Sequence, residues 1–400
     1  MAGLLAPGGA ARPALPDDVG EGRPAEVDRP SPVPVARPVI GEAEIEAAVR
    51  VLRSGRVVQG PEVAAFEEEF AELVDGRACV AVNSGTSALY LSLLALGIGP
   101  GDEVVLPSFS FAATANAVRL VGAEPVFADL EQGGFGLDPA AAAAAIGPRT
   151  AALLPVHLYG HPAALDRLVP LADRHGLLLL EDACQAHAAT LHGRPVGTFG
   201  AVGCFSFHPT KNMHALEGGM VTVADRQLAA RLRMLRNQGM AEGDRHEVVG
   251  GNLRMTDLSA AVGRVQLTAL AGRTARRRAN AAVLDTGLSP ARSHGLLCPA
   301  VADGAGHVYN RYTVRVAAEQ RADFQEELAR RGVRGSVHYA VPIHRQPAYQ
   351  GQRRLPLPRT EAAAAQVLSL PVHPELSAGE SARVVAAVNE VAALLDGGPR

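Results

Sequence analysis

From residue 42 onward, apolar positions recur first at helical spacing and then in short strand-like runs. Ile45, Ala48, Val49 and Leu52 mark one face of an amphipathic helix opening at Glu42-Ala43-Glu44-Ile45. Gly60-Pro61 breaks the chain, and Val63–Leu73 reads as a second helix. Short apolar runs follow at Cys79–Val82, Glu103–Pro107, Pro125–Asp129, Ala151–Val156 and Leu177–Glu181. Helical stretches separate them: Ser87–Leu96, Ala112–Leu120, an alanine-rich helix opening at Asp138-Pro139, and Ala163–His175. Ala201–Phe207 and Met220–Val223 add two more strands. This alternation predicts an α/β fold, a mainly parallel sheet with helices on both faces. Ligands on such sheets bind beyond the carboxyl ends of the strands.

After a long helical stretch, Leu258–Leu284, the pattern changes. Val308–Val316 and Gly335–His338 read as strands, and Ser381–Leu395 as a closing helix. The expected division is a large domain over 37–275 and a smaller C-terminal α+β domain over 276–400. The first 38 residues hold eight prolines, so residues 1–36 are expected to form a disordered Pro/Ala/Gly-rich tail. No basic segment leads there into an apolar core, as a secretory signal would require.

At 400 residues and 48% apolar content, the chain can bury a large core. A net charge of -3 gives no global electrostatic case for binding nucleic acid or a membrane. The basic run Arg276-Arg277-Arg278 reads as a solvated helix face. Cys79, Cys184, Cys204 and Cys298 share no metal-ligand spacing, so no metal site is expected. Scattered cysteines in a chain this long suit a reducing compartment, hence a cytoplasmic location. No apolar run is long enough to cross a bilayer.

Candidate chemistry gathers where four loops should meet at the sheet's carboxyl edge. The run Leu177–Leu180 ends in Glu181-Asp182, and a later loop, Phe207-His208-Pro209-Thr210-Lys211-Asn212, displays one lysine before Glu217-Gly218-Gly219. An aspartate at a strand end and a lysine on a later loop are what pyridoxal 5'-phosphate needs. The lysine forms an imine with the cofactor aldehyde, and the aspartate keeps the pyridine nitrogen protonated so that the ring can accept electrons. Asn83-Ser84-Gly85-Thr86-Ser87 opens a helix and offers backbone N–H groups and hydroxyls to a phosphate. Ser206, five residues before Lys211, could donate to the same phosphate. An aromatic in Ser108-Phe109-Ser110-Phe111 could lie on the cofactor ring, and Gln185 is placed to hydrogen-bond the ring hydroxyl. Each feature alone has a duller meaning: a helix cap, a core aromatic, a solvated lysine. His187 reads as a satisfied polar residue near the core.

These pieces resemble the DegT/DnrJ/EryC1/StrS family of sugar aminotransferases, which have the fold type I pyridoxal phosphate architecture. The resemblance runs from about Arg37 to Leu395. In family order it includes Ser54-Gly55 with Gly60-Pro61, Ser84-Gly85-Thr86-Ser87-Ala88-Leu89, Gly101-Asp102-Glu103-Val104, Glu181-Asp182-Ala183 and the Lys211 loop. Then come Gly251-Asn252-Leu253-Arg254-Met255-Thr256-Asp257, His338-Tyr339 with Pro342-Ile343-His344, and Leu370-Pro371-Val372-His373-Pro374. The resemblance implies that Lys211 is the catalytic, imine-forming lysine and Asp182 the pyridinium partner. Thr86, Ser87 and Ser206 would hold phosphate, and Phe111 would stack. Asn252 would reach the phosphate of a neighbouring subunit's cofactor, implying a homodimer with shared sites. Tyr339 and His344 would either border the substrate or hold the shape of their loop.

One stretch departs from the pattern. The family commonly reads Thr-Thr-Gly before Glu-Gly-Gly, whereas this chain reads His214-Ala215-Leu216. Leucine for glycine restricts the backbone there, and His214 becomes a candidate at the substrate mouth. The implied reaction is transfer of an amino group from glutamate or glutamine to a keto sugar, linked to a nucleotide, in antibiotic or polysaccharide biosynthesis. Keto-cyclitol amination is the alternative. Sugar dehydration is another, against which the intact Lys211 argues. A non-catalytic regulator is the third.

Overall fold

Seven strands form the central sheet of the computed structural model, which describes residues 31–241 and 243–396. In chain order they are β1 (Ala78–Val82), β2 (Glu103–Pro107), β3 (Glu124–Ala128), β4 (Thr150–Leu153), β5 (Leu178–Asp182), β6 (Val202–Ser206) and β7 (Gly219–Val223). Their spatial order is β1-β7-β6-β5-β4-β2-β3. The pairs β2–β3, β2–β4, β4–β5 and β5–β6 are parallel, while β7 runs antiparallel to both β1 and β6. Nearly every residue of these strands is buried, which is why they read as continuous apolar runs rather than alternating ones.

Local signals start the helices. Ser84 caps Gly85–Ala95, its Oγ accepting from Ser87 N at 3.1 Å, and Asp138 caps Pro139–Ala145, accepting from Ala140 N at 3.0 Å. One apolar cluster packs on each sheet face. Leu89, Leu93, Leu106 and Phe127 belong to the first; Phe66, Phe70, Phe205 and Phe207 belong to the second.

The helix Asp257–Gly287 is one continuous element, and the expected boundary at 275/276 falls inside it. Its first half packs beside Phe66 through Gly263. Its last turns, with Ala281 and Leu284, join a third cluster around the two-stranded pair Tyr312–Arg315 and Val367–Leu370. Ile343, Tyr349 and Ala363, from the expected smaller domain, enter the first cluster of the large sheet.

Four further expectations meet a different structure. Residues 1–30 lie outside the described residues, but the end of the expected tail is packed: Val33 is fully buried and bridges Val333, with Val33 N donating to Gly332 O at 2.9 Å. The helix Glu42–Ser54 buries Ala47 and Val51 and leaves the expected face outward, Ile45 and Leu52 being exposed. Gly335–His338 is no strand and forms a single bridge, Ser336 with Ser369. In the basic run Arg277 is buried, and all three arginines donate to backbone carbonyls, of Pro374, Tyr309 and His307.

Candidate active site

The carboxyl ends of β1, β2, β5 and β6 converge on a cavity of about 440 Å³. Lys211, Asp182, Gln185, Thr86, Ser206, Phe111 and Tyr339 all line it. Ser87, Asn252, His214 and His344 do not.

Asp182 ends β5 as a nearly buried carboxylate. Thr114 Oγ1 donates to its Oδ2 at 2.8 Å, and Cys184 N approaches its Oδ1 at 3.2 Å. Ser110 Oγ lies 2.8 Å from the Thr114 hydroxyl and steadies it. The neighbouring Glu181 points the other way, into the protein, where it is fully buried. It accepts from Gly197 N (2.7 Å), Phe199 N (2.7 Å) and Gly200 N (2.8 Å). Ala163 N donates to His157 Nδ1 at 2.9 Å, which leaves the ring proton on Nε2, 3.1 Å from Glu181 Oε2. Burial alone would raise the Glu181 pKa, but the His157 contact and these amides together hold it below the usual value.

Lys211 sits on a loop closed by Phe207 N to Gly218 O (2.8 Å) and Ala215 N to Phe207 O (2.9 Å). Burial pushes its pKa down, and Arg311 adds to that, while Cys184 and Asp182 pull it back up. A larger share of its amine is therefore neutral and nucleophilic than in a solvated lysine.

The end of the cavity expected to hold phosphate is built from backbone. A Cβ on Gly85 would stand 2.6 Å from Ser206 Cβ and 3.0 Å from Cys184 Sγ, and one on Gly219 would stand 2.3 Å from Ser84 O. The helix start and the strand carrying Ser206 can approach this closely only because both positions are glycine. Ser87, expected at the phosphate, does not line the cavity. Its Oγ donates to Asn83 Oδ1 at 2.6 Å and lies 2.9 Å from Ser84 Oγ, while Ser84 itself faces the cavity.

Gln185 links two tyrosines: its Oε1 accepts from Tyr159 N at 2.9 Å and its Nε2 donates to Tyr339 OH at 3.1 Å. Phe111 is 58% exposed at the cavity mouth, its ring 6.0 Å from that of Tyr339. Phe109 is wholly buried as core. His344 is a fastener: its Nδ1 lies 2.7 Å from Ser108 Oγ and its Nε2 3.2 Å from Glu361. His214 lies behind the lysine loop, its Nε2 donating to Val39 O at 3.1 Å. Asn252 is exposed and away from the cavity of its own chain.

Sequence reasoning passed over Thr114, Asn310, Arg311, Tyr159 and His338, which also line the cavity or hold its walls. Arg311 carried one available signal: it is a charge inside the strand-like run Val308–Val316.

The residues present fit pyridoxal 5'-phosphate. A helix start and Ser206 form a cradle with no room for a Cβ, a braced carboxylate lies at depth, and a lysine with lowered pKa stands between. Among the described residues no cluster of His, Cys, Asp and Glu could hold a metal, and no helix is long and apolar enough to cross a membrane.

The DegT/DnrJ/EryC1/StrS aminotransferase family model matches residues 38–389. The chain is 46% identical over 358 residues to the dTDP-3-amino-3,4,6-trideoxy-alpha-D-glucose transaminase of Streptomyces venezuelae, covering 88% of this chain and 93% of the relative. It superposes on S. venezuelae DesV, solved with a ketimine intermediate, with a TM-score of 0.84 at 46% identity, covering 87% and 94% of the two chains. It superposes on Spr1654 of Streptococcus pneumoniae in its PLP form with a TM-score of 0.86 at 27% identity, covering 91% and 99%.

Proposed function

The chain belongs to the DegT/DnrJ/EryC1/StrS aminotransferase family, and from that premise we propose that it carries an amino group from glutamate or glutamine to a keto sugar linked to a nucleotide. It is a pyridoxal 5'-phosphate enzyme. The observation that carries the reading is the convergence of Lys211, the Thr114-braced Asp182 and the Gly85–Thr86 helix start on one cavity. The nucleotide-linked acceptor is supported by the dTDP-sugar transaminase, 46% identical. Antibiotic or polysaccharide biosynthesis is the corresponding setting, and the cytoplasm the location.

When bound, the cofactor supplies the electron sink that makes a proton on the donor carbon removable. The chain supplies everything else. Thr86, Ser206 and the first amides of the helix would hold phosphate, and Asp182, its carboxylate oriented by two hydrogen bonds, would pair with the ring nitrogen. Gln185, which bridges Tyr159 and Tyr339, would hydrogen-bond the ring hydroxyl. Phe111, at the cavity mouth, would cover the ring. Lys211 Nζ would anchor the cofactor, and its amine is the group placed to take up and return a proton as general base and acid. Its pKa, lowered by burial, makes the neutral amine more available for both roles than in a solvated lysine.

The working unit is a homodimer. The outward apolar residues Ile45, Leu52, Val57 and Val58 are a surface that a second copy would cover. Asn252, exposed on its own chain, would reach the partner's phosphate site.

A visible absorption spectrum of the purified protein, before and after glutamate and then glutamine, tests the reading. A cofactor band that shifts with one donor and not the other supports transfer and names the donor. Loss of the band's response in Lys211→Ala assigns the lysine. A protein that binds no pyridoxal phosphate, or a Lys211→Ala variant that transaminates at the wild-type rate, overturns the proposal.

A further inference from the structure

Arg311 is a cation of the cavity wall to which the reading above gives no role. It lines the wall with Tyr159 and Tyr339 and also borders an adjoining cavity of about 250 Å³ behind that wall. Among the described residues its guanidinium forms no ion pair and no hydrogen bond; only its backbone N is engaged, donating to Tyr159 O at 3.2 Å. The other inward-facing arginines differ. Arg236 meets Glu67 Oε1 at 2.5 Å and Ala81 O at 2.6 Å, and Arg277 donates to Tyr309 O at 3.1 Å. A guanidinium carries five donors and stays charged, so holding one half-buried without a partner is costly unless a ligand completes it.

Its position is tied to the lysine. Asn310 Nδ2 donates to Asn212 Oδ1 at 3.0 Å, and Asn212 Nδ2 donates to Val308 O at 3.0 Å. The segment before Arg311 is thus stapled to the residue after Lys211. The guanidinium also lies on the Gln185 side of the cavity, since Gln185 bonds both tyrosines that flank it. The phosphate cradle of Ser84, Thr86 and Ser206 is built separately, at the helix start.

We infer that Arg311 binds the α-carboxylate of the amino donor. The inference rests on the aminotransferase reading above and assigns a residue of that same site. Glutamate and glutamine share a carboxylate one bond from the carbon that bears the amine, and that amine must come to Lys211. A planar fork of N–H donors matches a carboxylate in two parallel bonds. The keto-sugar ring carries no charge at its reacting carbon, so an arginine beside that carbon has nothing to grip in the second half of the cycle. Arg311 therefore selects amino acids over simple amines, and does so only in the first half.

The two half-reactions, followed separately by visible absorption on the holoenzyme, test this. Arg311→Gln should weaken half-saturation by the amino acid donor roughly 30-fold or more, and leave the acceptor half-reaction of the aminated enzyme within about threefold. Arg311→Lys should recover part of the donor affinity, because it keeps the charge and loses the fork. Glutarate, a dicarboxylate with no amine, should compete with the donor in the wild type and fail to compete in Arg311→Gln. An unchanged donor half-reaction in Arg311→Gln overturns the inference. So does a loss confined to the acceptor half, which would place Arg311 on the nucleotide phosphates. If Arg311→Gln does not retain cofactor, Arg311→Lys is read in its place, and equal losses in both halves again overturn it. A wild type inert toward every donor overturns the reading beneath, whereas an active wild type with an unaffected variant overturns only the role of Arg311.

Discussion

Thr114 Oγ1 donates to Asp182 Oδ2 at 2.8 Å, joining the helix after β2 to the carboxyl end of β5 across the floor of the cavity. The hydroxyl fixes which way the carboxylate faces. A carboxylate that must hold a proton on a ring nitrogen works by position as well as charge.

Two substitutions separate these effects. Asp182→Asn removes the charge and should lower transamination roughly 100-fold or more. Thr114→Val removes only the brace. A hydrogen bond to a charged group contributes about 1.5–3 kcal/mol, so the loss should be about 10- to 100-fold. Thr114→Ser keeps a hydroxyl and should restore most of it. Equal losses in Thr114→Val and Thr114→Ser, measured as kcat/KM, would show that packing rather than the hydrogen bond matters.

Glu181 supports the same strand end from behind. Its carboxylate takes three backbone N–H bonds and one from His157. Glu181→Gln turns an NH2 group toward amides that need an acceptor. The expected cost is about 3 kcal/mol of stability, with weaker cofactor retention because Asp182 is the next residue. Chemical denaturation of the holoenzyme and a cofactor titration check the two parts. A variant with wild-type stability would mean that these amides find other partners.

The sheet and the lysine loop were legible in the sequence because burial on both faces writes strands as apolar runs, and helices between them keep a period of their own. Asp182 was legible because it ends such a run. What escaped depends on partners far along the chain. His344 and Ser108 are 236 positions apart, and no local spacing says that this histidine fastens a loop. Arg277 reads as one of three surface charges until Tyr309 O, 32 positions on, is beside it. In Glu42–Ser54 the period was correct but the face was not. Ala47 and Val51 are smaller and less apolar than Ile45 and Leu52, so composition favours the other face, and the packing of Ala261, Leu258 and Val265 turns this pair inward. Ser87 Oγ bonds Asn83 and Ser84 in the structure, and sequence alone does not separate that role from a phosphate contact because a cap and an anion site share one composition.

Leu216 occupies a left-handed conformation, φ +63°, at the position where the family commonly has glycine. It is 38% exposed, so packing contributes little in return. A non-glycine residue there costs roughly 1–2 kcal/mol, and the gain from glycine is partly offset by the larger conformational entropy that glycine loses on folding. Leu216→Gly should therefore gain about 0.5–1 kcal/mol and raise Tm by ~1–3 °C in a chain of this size. Because Glu217 follows and lines the cavity, acceptor KM is the second readout. A lower Tm would show that the leucine side chain contributes more than its exposure suggests.

His187 sits fully buried with its ring 5.5 Å from Phe205 and 5.6 Å from Phe207, and neither ring nitrogen makes a well-formed hydrogen bond among the described residues. Burial, reinforced by the Lys211 charge, pushes its pKa down to about 3, against only a loose approach to the Ser206 backbone. Between the ordinary value of 6.5 and about 3 the unfolded chain takes up a proton that the folded chain refuses. The unfolded state then binds more protons, so stability rises with pH across that window and falls on acidification. The slope is about 1.4 kcal/mol per pH unit for this residue. His307, pushed to about 3 by burial and by His161, adds a second contribution of the same sign. His187→Leu removes the first one and also an unpaired buried polar group. Its stability, measured by urea unfolding from pH 7 to pH 4.5, should fall less steeply than the wild type below pH 6.5, the two curves separating by about 1.4 kcal/mol per unit. Parallel curves would mean that His187 takes up its proton in the folded state, and its ring nitrogens would then need a partner that Phe205 and Phe207 cannot supply.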